Sequence, residues 1–273
     1  MTMRTMAAPV AFSSIDPVFA RAEREGRSFL FEHEVYAILR AAGIGVPRTL
    51  FVPTGRKVAA RDLAGFRGAE VVLKIVSPLI QHKTDVGGVV FAKKSAAAVN
   101  AAVKAMTAGV LGRFDERAAR DVAPSQRGVL VCEKVDFEKL GFGTELLVGV
   151  RTTREFGPVV TFGAGGVEVE FLNARLKDRQ AVGIASAHLL KERNVPALVA
   201  GLAVSDKLVK PFRGRGAVLR PEELNRTLLR MAALAARYSP FGRSRYVIEE
   251  MGVNPFVVRA GKLVPLDGLC RFS

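Results

Sequence analysis

Between Val71 and Lys93 the chain runs apolar, turns polar, and runs apolar again. Val71 to Val76 is a short run rich in β-branched residues and bounded by turn signals, which predicts a buried strand; Val89 to Lys93 predicts its partner. The loop that joins them carries His82, Lys83 and Asp85 and ends on Gly87-Gly88. Lys74 sits on the first strand between Leu73 and Ile75. A buried ammonium without a partner is costly, so Lys74 either reaches solvent from an edge strand or meets an anion such as phosphate. Glycines let backbone N–H groups approach an anion, which makes Gly87 and Gly88 candidate phosphate contacts. For His82 the surroundings admit three roles: phosphate acceptor, general base, or simple loop residue.

The chain has 273 residues, 49% hydrophobic and 25% charged, enough for one large domain or two lobes with their own cores. It contains no run of eighteen apolar residues, and Met1 to Ala20 lacks a basic start followed by an apolar stretch. A soluble cytoplasmic protein is expected, with no membrane association. Cys132 and Cys270 lie in apolar, strand-like contexts without metal-ligand spacing, which predicts core residues and no disulfide. The 41 Lys and Arg against 26 Asp and Glu leave a net charge of +15, which suits an anionic partner or a well-solvated surface. The basic residues are scattered, Trp is absent, and no helix-turn-helix or finger spacing occurs. Nucleic acid is therefore not expected, and polyphosphate ligands or an acidic protein subunit fit better.

Three parts are expected: an N-terminal extension over 1–27, partly mobile, a lobe over 28–126 with the His82 loop, and a lobe over 127–273. From Glu32 the positions Val35, Ile38, Leu39 and Ala42 form a helical stripe that Gly43 caps. Ser95 caps a second helix with Val99, Val103 and Met106 on one face, and Gly109 to Gln126 is polar, a candidate boundary. Extended runs follow at Gly128 to Val135, Glu145 to Thr152 and Pro158 to Phe162, with a Gly141-Phe142-Gly143 turn between the first two. Pro221 suits a first helical position ahead of Leu224, Leu228, Met231 and Ala235. Strands near Tyr246 to Met251, Phe256 to Arg259 and Leu263 to Leu266 close the pattern, an α+β arrangement with an antiparallel sheet.

Gly163-Ala164-Gly165-Gly166 is either a turn or a lining of a nucleotide cleft, with Glu168 and Glu170 on the strand after it. Asn254 and Asp267 are separated by a strand, a Gly261 turn and another strand, a spacing that can bring an amide oxygen beside a carboxylate. Hard oxygen donors of that kind suit Mg²⁺ on nucleotide phosphates, and an ordinary hairpin with a polar end is the plain alternative. His33 and His188 have no metal partner at useful spacing, and no Walker, Rossmann, Gly-x-Ser-x-Gly or His-Glu-x-x-His pattern is present.

Taken in order, these segments resemble the ATP-grasp domain of ADP-forming acyl-CoA synthetases, the beta-type component related to the succinyl-CoA synthetase beta chain. The resemblance covers nearly everything after Asp16. It runs through Ala-Ala-Gly-Ile-Gly-Val-Pro47, Val-Leu-Lys74-Ile-Val-Ser-Pro and His82-Lys-Thr-Asp-Val-Gly-Gly-Val. Later come Thr-Glu145-Leu-Leu-Val-Gly-Val-Arg, Phe156-Gly-Pro-Val-Val, Gly163-Ala-Gly-Gly, Phe212-Arg-Gly-Arg, Val253-Asn254-Pro and Leu266-Asp267-Gly. It implies an ATP-grasp fold of two α+β lobes with the nucleotide cleft between them. Lys74, Gly87, Gly88 and Glu145 would contact the nucleotide, Glu133, Lys134 and Val135 would form the hinge strand facing adenine, and Asn254 and Asp267 would hold Mg²⁺.

His82 matches a family histidine that carries a phosphoryl group between ATP/ADP and an alpha-type CoA-binding subunit. A hetero-oligomer is implied, because the CoA-binding and acyl-phosphate-forming domains lie outside this sequence. Gly252 stands where the family has an acidic residue, Ala174 replaces a second one, and Leu176 to Ala187 replaces a Pro-containing stretch. Those departures suggest an alternative, an impaired ATP-grasp module with a nucleotide-binding or regulatory role. A direct carboxylate ligase is a third reading, which the His82 loop disfavours.

Overall fold

In the computed structural model, residues 10–80, 82–137, 145–166, 174–175, 180–202, 207–211, 214 and 216–273 are described. In chain order the elements are α1 (Asp16–Arg24), β1 (Phe29–Leu30), α2 (Glu32–Ala41), β2 (Thr49–Pro53), α3 (Ala60–Leu63), β3 (Glu70–Val76) and β4 (Val89–Lys93). Next are α4 (Ala96–Leu111), α5 (Glu116–Ser125), β5 (Gly128–Glu133), β6 (Leu146–Thr153), β7 (Gly157–Ala164) and β8 (Val182–Ser186). The last are α6 (Val195–Ala200), α7 (Pro221–Arg237), β9 (Ile248–Arg259), β10 (Lys262–Pro265) and β11 (Leu269–Phe272). They form two compact units, Pro47–Val135 and Met1–Val46 together with Asp136–Ser273.

The Pro47–Val135 unit is built on an antiparallel sheet in the order β2-β5-β3-β4. Alternation along β3 sends Val71, Leu73 and Ile75 into a core with Val129 and Val131 of β5 and Val99, Met106 and Val110 of α4. Ser95 caps α4 as expected, its Oγ accepting the Ala98 N–H at 3.2 Å. The polar stretch taken as a boundary instead contains α5, whose Asp115 cap accepts the Ala118 N–H. A single buried position, Val122, sufficed to seat it, too sparse a pattern for sequence to reveal.

The second unit carries a seven-stranded sheet in the order β1-β11-β9-β6-β7-β8, with β10 added to β9. Pro221 begins α7, and Leu224, Leu228, Met231 and Ala235 are buried as predicted. Where two strands were expected at Tyr246 to Met251 and Phe256 to Arg259, β9 is continuous. Asn254-Pro255 interrupts the apolar pattern without ending the strand, because a bulge against β6 absorbs it.

The units divide differently from the expected 28–126 and 127–273. β5 is interior to the four-stranded sheet, so it belongs with the lobe before it. β1 pairs with β11, which places residues before Pro47 on the seven-stranded sheet. The segment expected as an extension is also partly core: Phe19 and Ala22 of α1 are fully buried, and the Tyr238 hydroxyl donates to Asp16 at 2.7 Å. Arg27 donates to both carboxylate oxygens of Glu34 at 2.9 Å, while Glu34 also accepts the Phe31 N–H at the start of α2.

Candidate functional site

Lys74 lies on an interior strand, opposite Val89 of β4 and Leu130 of β5, which removes the edge-strand reading. Its neighbours Leu73 and Ile75 enter the core, so alternation puts Lys74 on the sheet's other face, where it is 9% exposed. Along β5 the chain reaches Glu133, which is buried and accepts the Arg67 N–H at 3.4 Å, and then Lys134 and Val135. Lys134 pairs with Glu70 at 2.6 Å and lies over the Phe91 ring at 5.9 Å. Because both charged partners are more than a third exposed, that ion pair contributes about 0–1 kcal/mol.

His82 is exposed on the β3–β4 loop. At the front of the loop the Ser77 Oγ lies 2.7 Å from Ser125 Oγ and accepts the Leu79 N–H, and Ile80 is buried. Behind His82 the chain closes on itself. The Gly88 N–H donates to the Lys83 carbonyl at 2.7 Å and the Gly87 N–H to the Thr84 carbonyl at 3.1 Å. Gly87 has φ +70, so these paired bonds form a Schellman-type turn that needs a residue at ease in the left-handed region. Gly88 leaves no room for a side chain, since a Cβ there meets Ile75 Cγ2 at 2.6 Å and the Lys83 carbonyl at 2.9 Å. Both glycine N–H groups, expected to face an anion, are thus committed within the turn in this structure.

The remaining residues gather on the other unit. Leu146 pairs with Phe256, Phe256 with Pro265, and the Leu266 N–H donates to the Pro255 carbonyl, which carries Asn254 and Asp267 to the same end of the β9–β10 hairpin. Gly166 follows β7 with φ +71, and its N–H donates to Asn254 Oδ1 at 2.6 Å. A Cβ on Gly166 would land on the Glu145 carboxylate, so Glu145, Gly166 and Asn254 form one corner. Asp267 Oδ1 accepts the Gly268 N–H at 2.9 Å.

As a set, Asn254 and Asp267 offer hard oxygens and one negative charge, which fits Mg²⁺ completed by phosphate oxygens and water. Among the described residues no cluster of three acidic, His or Cys side chains adds to it. Gly252 is open, its nearest neighbour to an added Cβ being Leu269 Cγ at 3.9 Å.

The Gly163–Gly166 segment was visible as a turn, but its strand continues through Ala164, and the bracing of Gly166 by Asn254 had no local signal. The Ser77–Ser125 contact was likewise missed, because it joins residues far apart in sequence. The Gly141-Phe142-Gly143 turn, Glu168, Glu170, and Phe212, Arg213 and Arg215 of the Phe-Arg-Gly-Arg motif lie outside the described residues. His33 stacks on Phe31, and burial lowers its pKa below the usual imidazole value. His188 is exposed, and both cysteines are buried free thiols. No described helix is long and apolar enough to cross a membrane.

Compared with known families, residues 21–271 match the ATP-grasp domain. The chain belongs to that family. The α+β expectation with antiparallel sheets is met by this ATP-grasp fold. The ATP-grasp chain is 34% identical over 157 residues to the beta subunit of ADP-forming acetate–CoA ligase I of Pyrococcus furiosus, covering 57% of this chain and 60% of that one. It is 33% identical over 156 residues to the ADP-forming 4-hydroxybutyrate–CoA ligase of Nitrosopumilus maritimus, 57% of this chain and 20% of the relative. The match thus spans less than two thirds of either relative.

Among solved structures, the dinucleotide-forming acetyl-coenzyme A synthetase 1 of Candidatus Korarchaeum cryptofilum, bound to coenzyme A and Ca-AMPCP, matches with TM-score 0.75 and 27% identity. The alignment covers 95% of this ATP-grasp chain and 100% of that one. Two further structures of that synthetase match with TM-scores of 0.68 and 0.69, each at 25% identity and with the same coverage. One has its phosphohistidine segment pointing towards the nucleotide-binding site, and the other has the segment phosphorylated in a site I orientation.

Proposed function

We propose that this chain is the beta-type ATP-grasp component of an ADP-forming acyl-CoA synthetase, in which acid, CoA and ATP become acyl-CoA, ADP and phosphate. The observation that carries this reading is the exposed imidazole of His82 on the loop that follows the Lys74 strand. An unprotonated ring nitrogen attacks the γ-phosphorus of ATP, the bond to the bridging oxygen breaks, and ADP leaves with that electron pair. The N–P bond of the phosphohistidine then breaks as its phosphoryl group passes, by way of the partner, to a carboxylate oxygen of the acid, and the CoA thiol displaces phosphate from the resulting acyl phosphate. Lys74 would neutralise charge on the phosphates, and Glu133, Lys134 and Val135 would flank the base, with Glu145, Gly87 and Gly88 as further nucleotide contacts. Asn254 and Asp267 would hold Mg²⁺, which withdraws charge from the phosphoryl oxygens.

Support comes from the ligase names of the relatives and from the phosphohistidine segment of the Korarchaeum synthetase. The His82 loop would pass phosphate between the nucleotide and an alpha-type, CoA-binding partner. A soluble cytoplasmic hetero-oligomer fits this role.

The test is phosphate transfer from γ-labelled ATP with Mg²⁺. Acid-labile label on the wild-type chain that disappears in His82→Ala supports the reading; equal labelling of both proteins rejects it. The open slot at Gly252, which carries no acidic side chain, favours a second reading, an impaired nucleotide-binding or regulatory module. It predicts ATP binding indifferent to EDTA, and a gain of Mg²⁺ dependence in Gly252→Asp. Micromolar, Mg²⁺-dependent ATP affinity in the wild type, about −8 kcal/mol by calorimetry, rules it out.

A further inference from the structure

Resting on the proposed nucleotide site, the geometry points to Phe91 as the residue on which the base of the nucleotide stacks, so that the Lys74 face of the four-stranded sheet prefers a nucleoside triphosphate to bare polyphosphate. Phe91 is 62% exposed, the most exposed large apolar side chain among the described residues of the Pro47–Val135 unit. Its neighbours Val90 and Ala92 pack into the α4 core, so the pleat sends Phe91 to the opposite face, the one that carries Lys74. An antiparallel sheet with one face in solvent ordinarily sets polar residues on that face. A phenyl ring there needs a cause.

The register arranges this face in rows. Thr49, Cys132, Val72 and Phe91 stand opposite one another across β2, β5, β3 and β4. Two residues along the strands, Phe51, Leu130, Lys74 and Val89 do the same. The two rows are about 6.7 Å apart. Phe91 and Lys74 are thus diagonal neighbours across β3 and β4, with Cα atoms about 7–8 Å apart, a separation that aromatic and long side chains span. On the far side of Phe91, Glu70 stands opposite Lys93 and pairs with Lys134 at 2.6 Å. The apolar row therefore lies between a row centred on a cation and a charged border.

Such a face suits a ligand that is anionic at one end and flat at the other. With phosphate oxygens on Lys74, the base lies one row along, over Val72 and against the Phe91 ring. Lys134 Nζ, held by Glu70, lies 5.9 Å from the ring centroid and backs the ring at its charged border. Stacking on a phenyl ring does not depend on which base is present, because every base has a π-face. Phe91 therefore separates nucleotide from tripolyphosphate and leaves the choice among bases to other groups.

The experiment is calorimetric titration of the full chain with ATP and with tripolyphosphate, each with Mg²⁺, in wild type, Phe91→Ala and Phe91→Trp. Phe91→Ala should lower ATP affinity by about tenfold or more and tripolyphosphate affinity by less than about twofold. Phe91→Trp keeps a stacking surface and should hold ATP affinity within about threefold of wild type. The sequence contains no Trp, so the fluorescence of that variant comes from position 91 alone. It should change on adding ATP and stay constant on adding tripolyphosphate.

If Phe91→Ala does not fold, the fluorescence of Phe91→Trp carries the test. ATP affinity unchanged in Phe91→Ala, an equal loss for both ligands, or a fluorescence that ATP leaves unaltered would overturn the role of Phe91 and leave the ring to a protein cover or a structural one. In those cases the wild type still binds ATP, and the nucleotide reading stands. Wild-type protein that binds neither ligand sinks the nucleotide reading and the base site with it, so the two failures are distinguishable.

Discussion

The molecule has two glycine corners, and they are held in opposite ways. At Gly87-Gly88 both N–H groups bond to carbonyls of the same turn, and Gly87 faces open space. At Gly165-Gly166 the corner is braced from outside: Gly166 donates to Asn254 on β9 and lies against Glu145 ahead of β6, while Gly165 donates to the Glu145 carbonyl at 2.8 Å. A self-closed corner can yield without disturbing its sheet. A corner braced across strands yields only when those strands part, so the histidine sits beside the first kind and the candidate metal ligand Asn254 sits in the second.

The largest effect should come from breaking the braced corner. Gly166→Ala combines left-handed strain with a methyl group that displaces the Glu145 carboxylate, and a loss of about 1–3 kcal/mol in denaturant unfolding is expected. Unchanged stability would mean that the brace gives way freely. Gly87→Ala should cost about 1–2 kcal/mol, from left-handed strain alone. That cost should appear as faster exchange of the turn amides and as an equal fall in unfolding free energy; unchanged global stability would mean that the turn sheds the strain by opening.

Asn254→Ala removes the brace without touching glycine, for about 1 kcal/mol, because the Gly166 N–H is exposed and recovers a water. If the donors hold Mg²⁺, the same variant should weaken Mg²⁺-dependent ATP binding, measured by calorimetry. As a control on the self-closed unit, Glu70→Gln should change stability by less than about 1 kcal/mol.

Acid should also separate the two units. Burial lowers the His33 pKa, so the unfolded chain binds the proton more tightly; its contribution is complete above 6.5 and declines as pH falls below that value. In the Pro47–Val135 unit the Asp62 carboxyl is held down first by the Ala59 N–H, with Arg56 assisting, so its contribution is lost only as pH falls below 3.8. Amide exchange between pH 7 and 5 should therefore loosen the seven-stranded unit first, and His33→Phe should flatten that dependence.

What could be read from sequence was local and periodic. Strand β3, the stripe of α2, the Ser95 cap and Pro221 at the start of α7 each declare themselves within a few residues, and they appear where expected. Strands β1, β2, β8 and β11 did not, because each is short and owes its existence to pairing with a distant strand. The candidate site followed the same rule. Lys74 and His82 stand in one continuous segment, whereas the bracing of Gly166 by Asn254 spans the sequence and emerges only from the fold. The glycine pair at 87–88 was legible as a turn, but that its N–H groups are spent on the turn itself was not.

The pairing of β1 with β11 has a consequence for the order of assembly. Everything the Pro47–Val135 unit needs is contiguous, so that core can form as soon as its last strand leaves the ribosome. The seven-stranded sheet cannot follow this schedule, since Phe29 and Leu30 wait for Arg271 and Cys270. The half that carries His82 is thus able to fold well before the half that carries Asn254 and Asp267, and it spends that interval without them.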